Sequence, residues 1–125
     1  MGNFEIITNN PAVVNAYPKL AKFYEIGVLE IFITVRDMVH KGAKVISHPL
    51  SGSIKPWESP YKSILVSQSP SGLDLESLKY IENAIGAMKG RRANSSVYTA
   101  EVLDDFRAID LDLINSAIGQ NNYMR

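Results

Sequence analysis

Short runs of apolar and β-branched residues alternate along this chain with longer stretches in which apolar residues recur every three or four positions. The short runs have the composition of strands, and the longer stretches have the period of helices that pack on a sheet. Strands that alternate with helices are typical of layered α/β domains. The sequence therefore predicts a single layered α/β domain over residues 1–125, with helices packed on a sheet of about four strands.

The pattern also predicts where each element begins and ends. The predicted strands cover residues 4–8, 23–26, 44–47 and 63–68. The predicted helices cover residues 11–16, 29–41, 75–88 and 100–117, with N-caps at Asn10, Asp74 and Thr99. The run 4–8 is mostly apolar, and the run 63–68 contains the consecutive apolar residues Ile64, Leu65 and Val66. Both features are typical of strands that are covered on both faces.

The last two helices have apolar stripes that predict their buried faces. In the third helix the stripe is Leu75, Leu78, Ile81, Ile85 and Met88, and in the last it is Val102, Phe106, Ile109 and Leu113. The acidic residues of the last helix are predicted to line its solvent side: Asp104, Asp105, Asp110 and Asp112.

The segment 48–63, between the third and fourth predicted strands, concentrates the residues that could carry chemistry. It contains a His, two Lys, a Glu, a Tyr, the only Trp and three Pro. Prolines reduce the conformational freedom of a loop, and a loop held in one shape favours a binding site.

Ligands of open α/β sheets collect outside the carboxyl ends of the strands. The segments 8–10, 48–62 and 67–71 each follow a strand, and they share one edge only if the strands are parallel. If the hairpin around the loop is antiparallel, the exit of the fourth strand lies at the opposite end. We therefore expect a site built by the first two segments. Its candidate residues are Thr8, Asn9, Asn10, His48, Ser51, Gly52, Ser53, Lys55, Glu58, Tyr61 and Lys62.

Each candidate also has a purely structural interpretation. The Ser51-Gly52-Ser53 turn with Lys55 could present amides, hydroxyls and charge to an anion, although a simple tight turn is favoured. His48 could be an acid, a base or a hydrogen-bond donor, or equally a buried side chain bonded to a backbone carbonyl.

The remaining candidates have similar alternatives. Glu58, Tyr61 and Lys62 could complete a polar cluster around His48, or the prolines and rings of the loop could simply cover the core. Capping of the first helix is favoured for Asn10, and Asn9 is open to capping or to ligand binding.

Composition excludes several classes of function. With 13 basic and 13 acidic residues the formal net charge is zero, so we expect neither nucleic-acid nor membrane binding. There is no cysteine, which excludes thiol catalysis, and two histidines make a metal site improbable. No cofactor is indicated. The N-terminus lacks the pattern of a signal peptide, so we expect a cytoplasmic protein.

Charge is nevertheless biased within the chain. Residues 36–62 carry five Lys or Arg side chains against one Asp and one Glu. This local excess of positive charge favours an anionic ligand.

Several motifs in the first half of the chain resemble one known family. Residues 6–11 (IITNNP), 35–42 (VRDMVHKG), 48–56 (HPLSGSIKP) and 60–64 (PYKSI) resemble the GrdX family, small proteins encoded beside glycine reductase components in amino-acid-fermenting anaerobes. The resemblance implies a cytoplasmic accessory role in selenium-dependent amino-acid reduction. It implies no catalytic residues. Because that chemistry uses thiols and selenols, a chain without cysteine is expected to be a helper, a regulator or a binder.

Three hypotheses follow. The first is a non-catalytic accessory protein whose 48–62 loop binds a small anionic ligand or a component of the glycine reductase system. The second is a small enzyme that acts on a phosphorylated or carboxylated metabolite, with His48 as acid or base and Lys55 or Lys62 holding the anion. The third is an interaction protein in which apolar residues around Trp57 form a homodimer or partner surface.

Overall fold

The structure, a computed structural model, describes residues 4–52, 55–67 and 72–120. Strands and helices alternate along most of these residues. A short 3₁₀ helix, Ser95–Val97, precedes the last α-helix. The other elements are β1 (Phe4–Thr8), α1 (Pro11–Ala16), β2 (Ala21–Phe23), α2 (Val28–His40), β3 (Lys44–Val45), β4 (Ser63–Ser67), α3 (Leu75–Ala87) and α4 (Ala100–Gln120).

The strands form a mixed sheet in the order β2-β1-β4-β3. β1 is parallel to β2 and antiparallel to β4, and β3 is antiparallel to β4. Thr8 at the end of β1 is paired with Ser63 at the start of β4 and with Phe23 at the end of β2. The carboxyl ends of β1, β2 and β3 therefore lie at the same edge of the sheet, beside the beginning of β4.

Helices cover both faces of this sheet. On one face, α2 and α3 pack over the side chains of Ile7, Ile64 and Val66. On the other face, Val13 of α1 and Ile114 of α4 pack over Ile6 and Leu65. Ile6, Ile7, Ile64, Leu65 and Val66 are completely buried, because their strands lie between two helical layers. The predicted α/β fold with its layered sheet is confirmed.

Two predicted strands have different bounds. β2 covers 21–23 rather than 23–26, because the chain turns after Phe23: Tyr24 N–H donates to Thr8 O, and Ile26 N–H donates back to Tyr24 O. β3 ends at Val45 rather than Ser47. Beyond it, the N–H groups of Ile46 and Ser47 both donate to the carbonyl of Leu65, and this shared acceptor interrupts the regular ladder.

Some residues of the apolar stripes predicted for the last two helices are exposed instead of buried. In α3, Ile81 and Met88 are buried as predicted, but Leu75 at the helix start is 72% exposed. Ser77 is buried in its place, where its hydroxyl accepts a hydrogen bond from Val45 N–H. In α4, Val102 is 36% exposed and Ile109 is 40% exposed, so these side chains do not reach the sheet.

A matched pair of substitutions on α3 tests this core. Ile81→Ala removes a completely buried side chain and should lower the free energy of unfolding by about 2–5 kcal/mol. Leu75→Ala truncates an exposed side chain of the same helix and should change it by less than about 0.5 kcal/mol. Chemical denaturation measures both values, and a comparable loss for the two variants would contradict the observed orientation of α3.

Candidate functional site

Thr8 and Ser63 begin a chain of hydrogen bonds at the edge where β1 ends and β4 begins. The hydroxyl oxygens of Thr8 and Ser63 are 2.6 Å apart. Ser63 Oγ donates to a carboxylate oxygen of Asp110 at 2.7 Å, and its single proton is thereby used. Thr8 Oγ1 is therefore the donor to Ser63 Oγ, and it accepts in turn from Asn10 N–H at 2.9 Å. The chain runs from the start of α1 across the sheet edge to α4.

The carboxylate of Asp110 receives the end of this chain. Its Oδ1 accepts from Ser63 N–H at 3.0 Å, and its Oδ2 accepts from Ser63 Oγ and from Asn10 Nδ2, the latter at 3.0 Å. Asp110 is only 5% exposed. The prediction that it lines the solvent side of the last helix is wrong, because this side chain faces the sheet between Phe106 and Ile114, whereas Asp104 and Asp112 are exposed.

The two asparagines after β1 hold neighbouring segments in place. Asn9 Nδ2 donates to Ile26 O at 2.8 Å and to Pro60 O at 2.9 Å, while its Oδ1 accepts from Lys62 N–H at 2.8 Å. Asn10 Oδ1 caps α1 by accepting from Ala12 N–H at 3.0 Å. Both amides are thus occupied by the protein itself, and they position the end of the 48–62 segment instead of facing a ligand.

A small cavity of about 30 Å³ lies between this segment and α4. We call it the Lys62 pocket. Four of the predicted site residues line it: Ser51, Lys55, Tyr61 and Lys62. Ser59 and Asp110, which the sequence interpretation did not include, line it as well. The helical spacing of Phe106, Asp110 and Ile114 was the one signal that could have placed Asp110 on the inner face.

The Lys62 side chain is the most perturbed charged group of this pocket. Desolvation by burial lowers the pKa of its ammonium group, and the nearby Asp110 carboxylate raises it by a smaller amount. Among residues 4–52, 55–67 and 72–120, no carboxylate lies within ion-pair distance of Lys62. The positive charge is therefore partly removed from water without a direct counter-ion.

Tyr61 and Lys55 flank Lys62 with different surroundings. Arg107 Nη1 donates to the Tyr61 hydroxyl at 2.5 Å, and its guanidinium lies 5.3 Å from the centre of the Tyr61 ring. Hydrogen bonds to Asp104 and Tyr61 raise the pKa of Arg107 against the opposing effect of desolvation. Lys55 is exposed, with its ammonium 5.6 Å from the Trp57 ring, so it can approach an anion at the pocket mouth.

Two other predicted residues lie elsewhere or serve the loop: His48 and Glu58. His48 is exposed, its ring centre is 4.6 Å from that of Tyr80 on α3, and it does not line the Lys62 pocket. Glu58 Oε1 accepts from Lys55 N–H at 2.9 Å and thereby closes a turn of the loop. The predicted cluster of Glu58, Tyr61 and Lys62 around His48 is therefore not formed.

The part of the loop that approaches α4 depends on one glycine, Gly52. Gly52 has a φ of +94°, and a Cβ atom there would lie 2.9 Å from Cδ1 of Leu113 on α4. A glycine is needed both for this conformation and for the close approach to α4. The prediction for Ser53 lies outside the residues that the structure describes.

A larger open cleft lies on the other side of Pro60 and Tyr61. It consists of adjoining cavities of about 250 and 520 Å³ that share the lining residues Ile26, Gly27, Pro60 and Ser95. Its cation, Arg92, is 3.0 Å from a carboxylate oxygen of Glu30, and the Asn9 amide at its wall is already bonded. This cleft therefore offers an anion less uncompensated charge than the Lys62 pocket does.

Comparison with known protein families gives one result. The family model of the GrdX-like proteins matches residues 5–119, which is nearly the whole chain. The chain belongs to the GrdX-like family. No curated protein and no solved structure matches it. The match extends beyond the motifs of the first half and includes α4, which carries Asp110.

Two further properties of this GrdX-like protein concern residues 4–52, 55–67 and 72–120. None of the helices there is long and apolar enough to cross a membrane. No group of three or more His, Asp or Glu side chains in these ranges is arranged to hold a metal ion.

Removal of the buried carboxylate should destabilise the protein. Asp110→Ala leaves Ser63 N–H, Ser63 Oγ and Asn10 Nδ2 without their acceptor and should lower the free energy of unfolding by about 2–5 kcal/mol. Asp112→Ala, an exposed position on the same helix, should lower it by less than about 0.5 kcal/mol. Equal values for the two variants in urea denaturation would show that Asp110 does not anchor α4.

Proposed function

We propose that this protein is a non-redox accessory component of glycine or other amino-acid reductase systems and that it binds a small anionic ligand in the Lys62 pocket. Membership of the GrdX-like family supports the accessory role. Because the sequence contains no cysteine, the chain supplies no thiol for the redox steps of such a system. From the same family membership we propose that it acts in the cytoplasm.

The unpaired ammonium of Lys62 is the observation that carries the ligand proposal. A charged group that is partly removed from water lowers its free energy by binding a group of opposite charge. The Lys62 side chain lines a small cavity that is large enough for one or two water-sized groups and is also lined by Ser51. A small anion that enters there would replace the missing counter-ion.

The charges around the pocket favour a singly charged ligand. Lys55 and Lys62 contribute two positive charges, and Asp110 contributes one negative charge. The charge of Arg107 is offset by its partner Asp104. The net positive charge is therefore one, which matches a small carboxylate better than a dianionic phosphate.

The loop also has a positively charged surface that suits a protein partner with an exposed carboxylate. The exposed Arg91 guanidinium is 4.0 Å from the Trp57 ring centre, and the Lys55 ammonium is 5.6 Å from it. A carboxylate on a component of the reductase system would meet both cations beside the Trp57 ring. The enzyme alternative has less support, because His48 lies on Tyr80 and apart from the lysines.

Titration with acetate, followed by NMR of the lysine side chains, tests the ligand proposal. Acetate should bind the wild-type protein, and Lys62→Met should weaken the affinity at least about tenfold because one hydrogen bond to a charged group is lost. Lys79→Met removes an exposed lysine of α3 and should leave the affinity within about twofold.

The same titration with inorganic phosphate separates the charge classes. Acetate binding that is tighter than phosphate binding supports a monoanionic ligand. Equal losses of affinity in Lys62→Met and Lys79→Met would contradict a site at Lys62. A different outcome is that neither acetate nor phosphate binds, while the wild-type protein, but not Lys55→Met, captures a reductase component from the natural host. That result would replace the small ligand with a partner protein.

A further inference from the structure

The Lys62 pocket has the features of a reactive-amine site. The Lys62 amine has no ion-pair partner among residues 4–52, 55–67 and 72–120, and a second cation, Lys55, lines the same small cavity. Desolvation is an influence that turns a lysine into a nucleophile at neutral pH. The lowered pKa of Lys62 is in accord with this chemistry, since it increases the fraction of neutral amine.

The neighbouring polar groups leave this amine available. All three donors around Asp110 are neutral groups of Ser63 and Asn10, so the carboxylate is bound without Lys62. Ser59 Oγ is occupied by the backbone of Tyr61, from which it accepts at 3.1 Å and to which it donates at 3.2 Å. The Tyr61 hydroxyl accepts from Arg107, and this bond does not use the hydroxyl's own proton.

We propose that Lys62 forms an imine with the carbonyl carbon of a small oxo acid whose carboxylate is bound by Lys55. This inference rests on the anion-binding function proposed above and specifies the ligand class of the same pocket. The cavity of about 30 Å³ restricts the carbonyl substituent to a hydrogen atom or a methyl group. The remainder of the ligand lies at the pocket mouth, beside Lys55.

The reaction is a balanced condensation. The lone pair of the neutral Lys62 nitrogen attacks the carbonyl carbon, and the electron pair of the C=O bond moves to oxygen, which takes a proton from Tyr61 or water. The nitrogen returns one of its protons to the same group, which gives a neutral carbinolamine. The carbinolamine then loses its hydroxyl group and the remaining nitrogen proton as one water molecule, and a C=N bond forms. No oxidant or reductant takes part.

Reductive trapping of the full chain tests this inference. The protein is incubated with glyoxylate and cyanoborohydride at pH 7, and the modified lysines are located by peptide mass mapping. We expect one carboxymethyl group on Lys62, formed at least about tenfold faster than on Lys79. Lys62→Arg, which keeps the positive charge, should lose this adduct and still bind acetate. Labelling of Lys62 and Lys79 at equal rates in the wild type would overturn the inference.

A second variant tests the role of Lys55. Lys55→Met should slow the trapping of glyoxylate at Lys62 at least about fivefold, with little effect on trapping of uncharged acetaldehyde. An equal effect on both reagents would contradict the binding of the carboxylate by Lys55. If the wild-type protein binds acetate but forms no adduct, only the imine proposal is overturned. If the wild-type protein does not bind acetate, the proposed binding of a small anion is itself overturned.

Discussion

The buried carboxylate of Asp110 is the interaction on which the arrangement of this GrdX-like protein depends. A charge removed from water is tolerated only if its hydrogen-bonding capacity is satisfied, and here the backbone and hydroxyl of Ser63 and the amide of Asn10 satisfy it. These donors belong to the start of β4 and to the N-cap of α1. The same carboxylate therefore fixes α4 against β4 and the start of α1, which lie far apart in sequence.

This anchoring also determines the environment of the proposed site. Lys62 directly precedes the anchored Ser63, and its backbone N–H is bonded to Asn9. The end of the 48–62 segment is thus held from both sides, between β1 and α4. The Lys62 side chain lies at the resulting junction, where burial lowers its pKa and where a small cavity remains. A binding group on a rigid junction of this kind loses little conformational freedom when a ligand arrives.

Much of the fold could be predicted from the sequence because local patterns determine it. The bounds of β1 and α1 follow from a β-branched run and from Asn10 before Pro11, which act within a few residues. The start of α3 at Leu75 follows in the same way from the capping side chain of Asp74. The shift of β2 toward Ala21 depends instead on its parallel pairing with β1, which is not encoded within that segment.

The site was less predictable because its side chains are placed by tertiary contacts. Ser51, Lys55, Tyr61 and Lys62 were expected to lie together, and all four line one pocket. His48 was expected among them, but its ring packs on Tyr80 of a helix that the loop composition cannot reveal. The neighbouring aspartates of α4 suggested a solvated face, and only the spacing of Asp110 with Ile114 indicated otherwise.

The central claim is that Lys62 is a desolvated ammonium group that has no ion-pair partner among the described residues and that binds a small anion. The most direct measurement is an NMR titration of the Lys62 side chain with and without acetate. The account predicts a pKa below the ordinary value for lysine in the free protein, and a pKa that rises when acetate binds and stabilises the charged form. A Lys62 whose pKa has the ordinary value for lysine and does not change with acetate would contradict it.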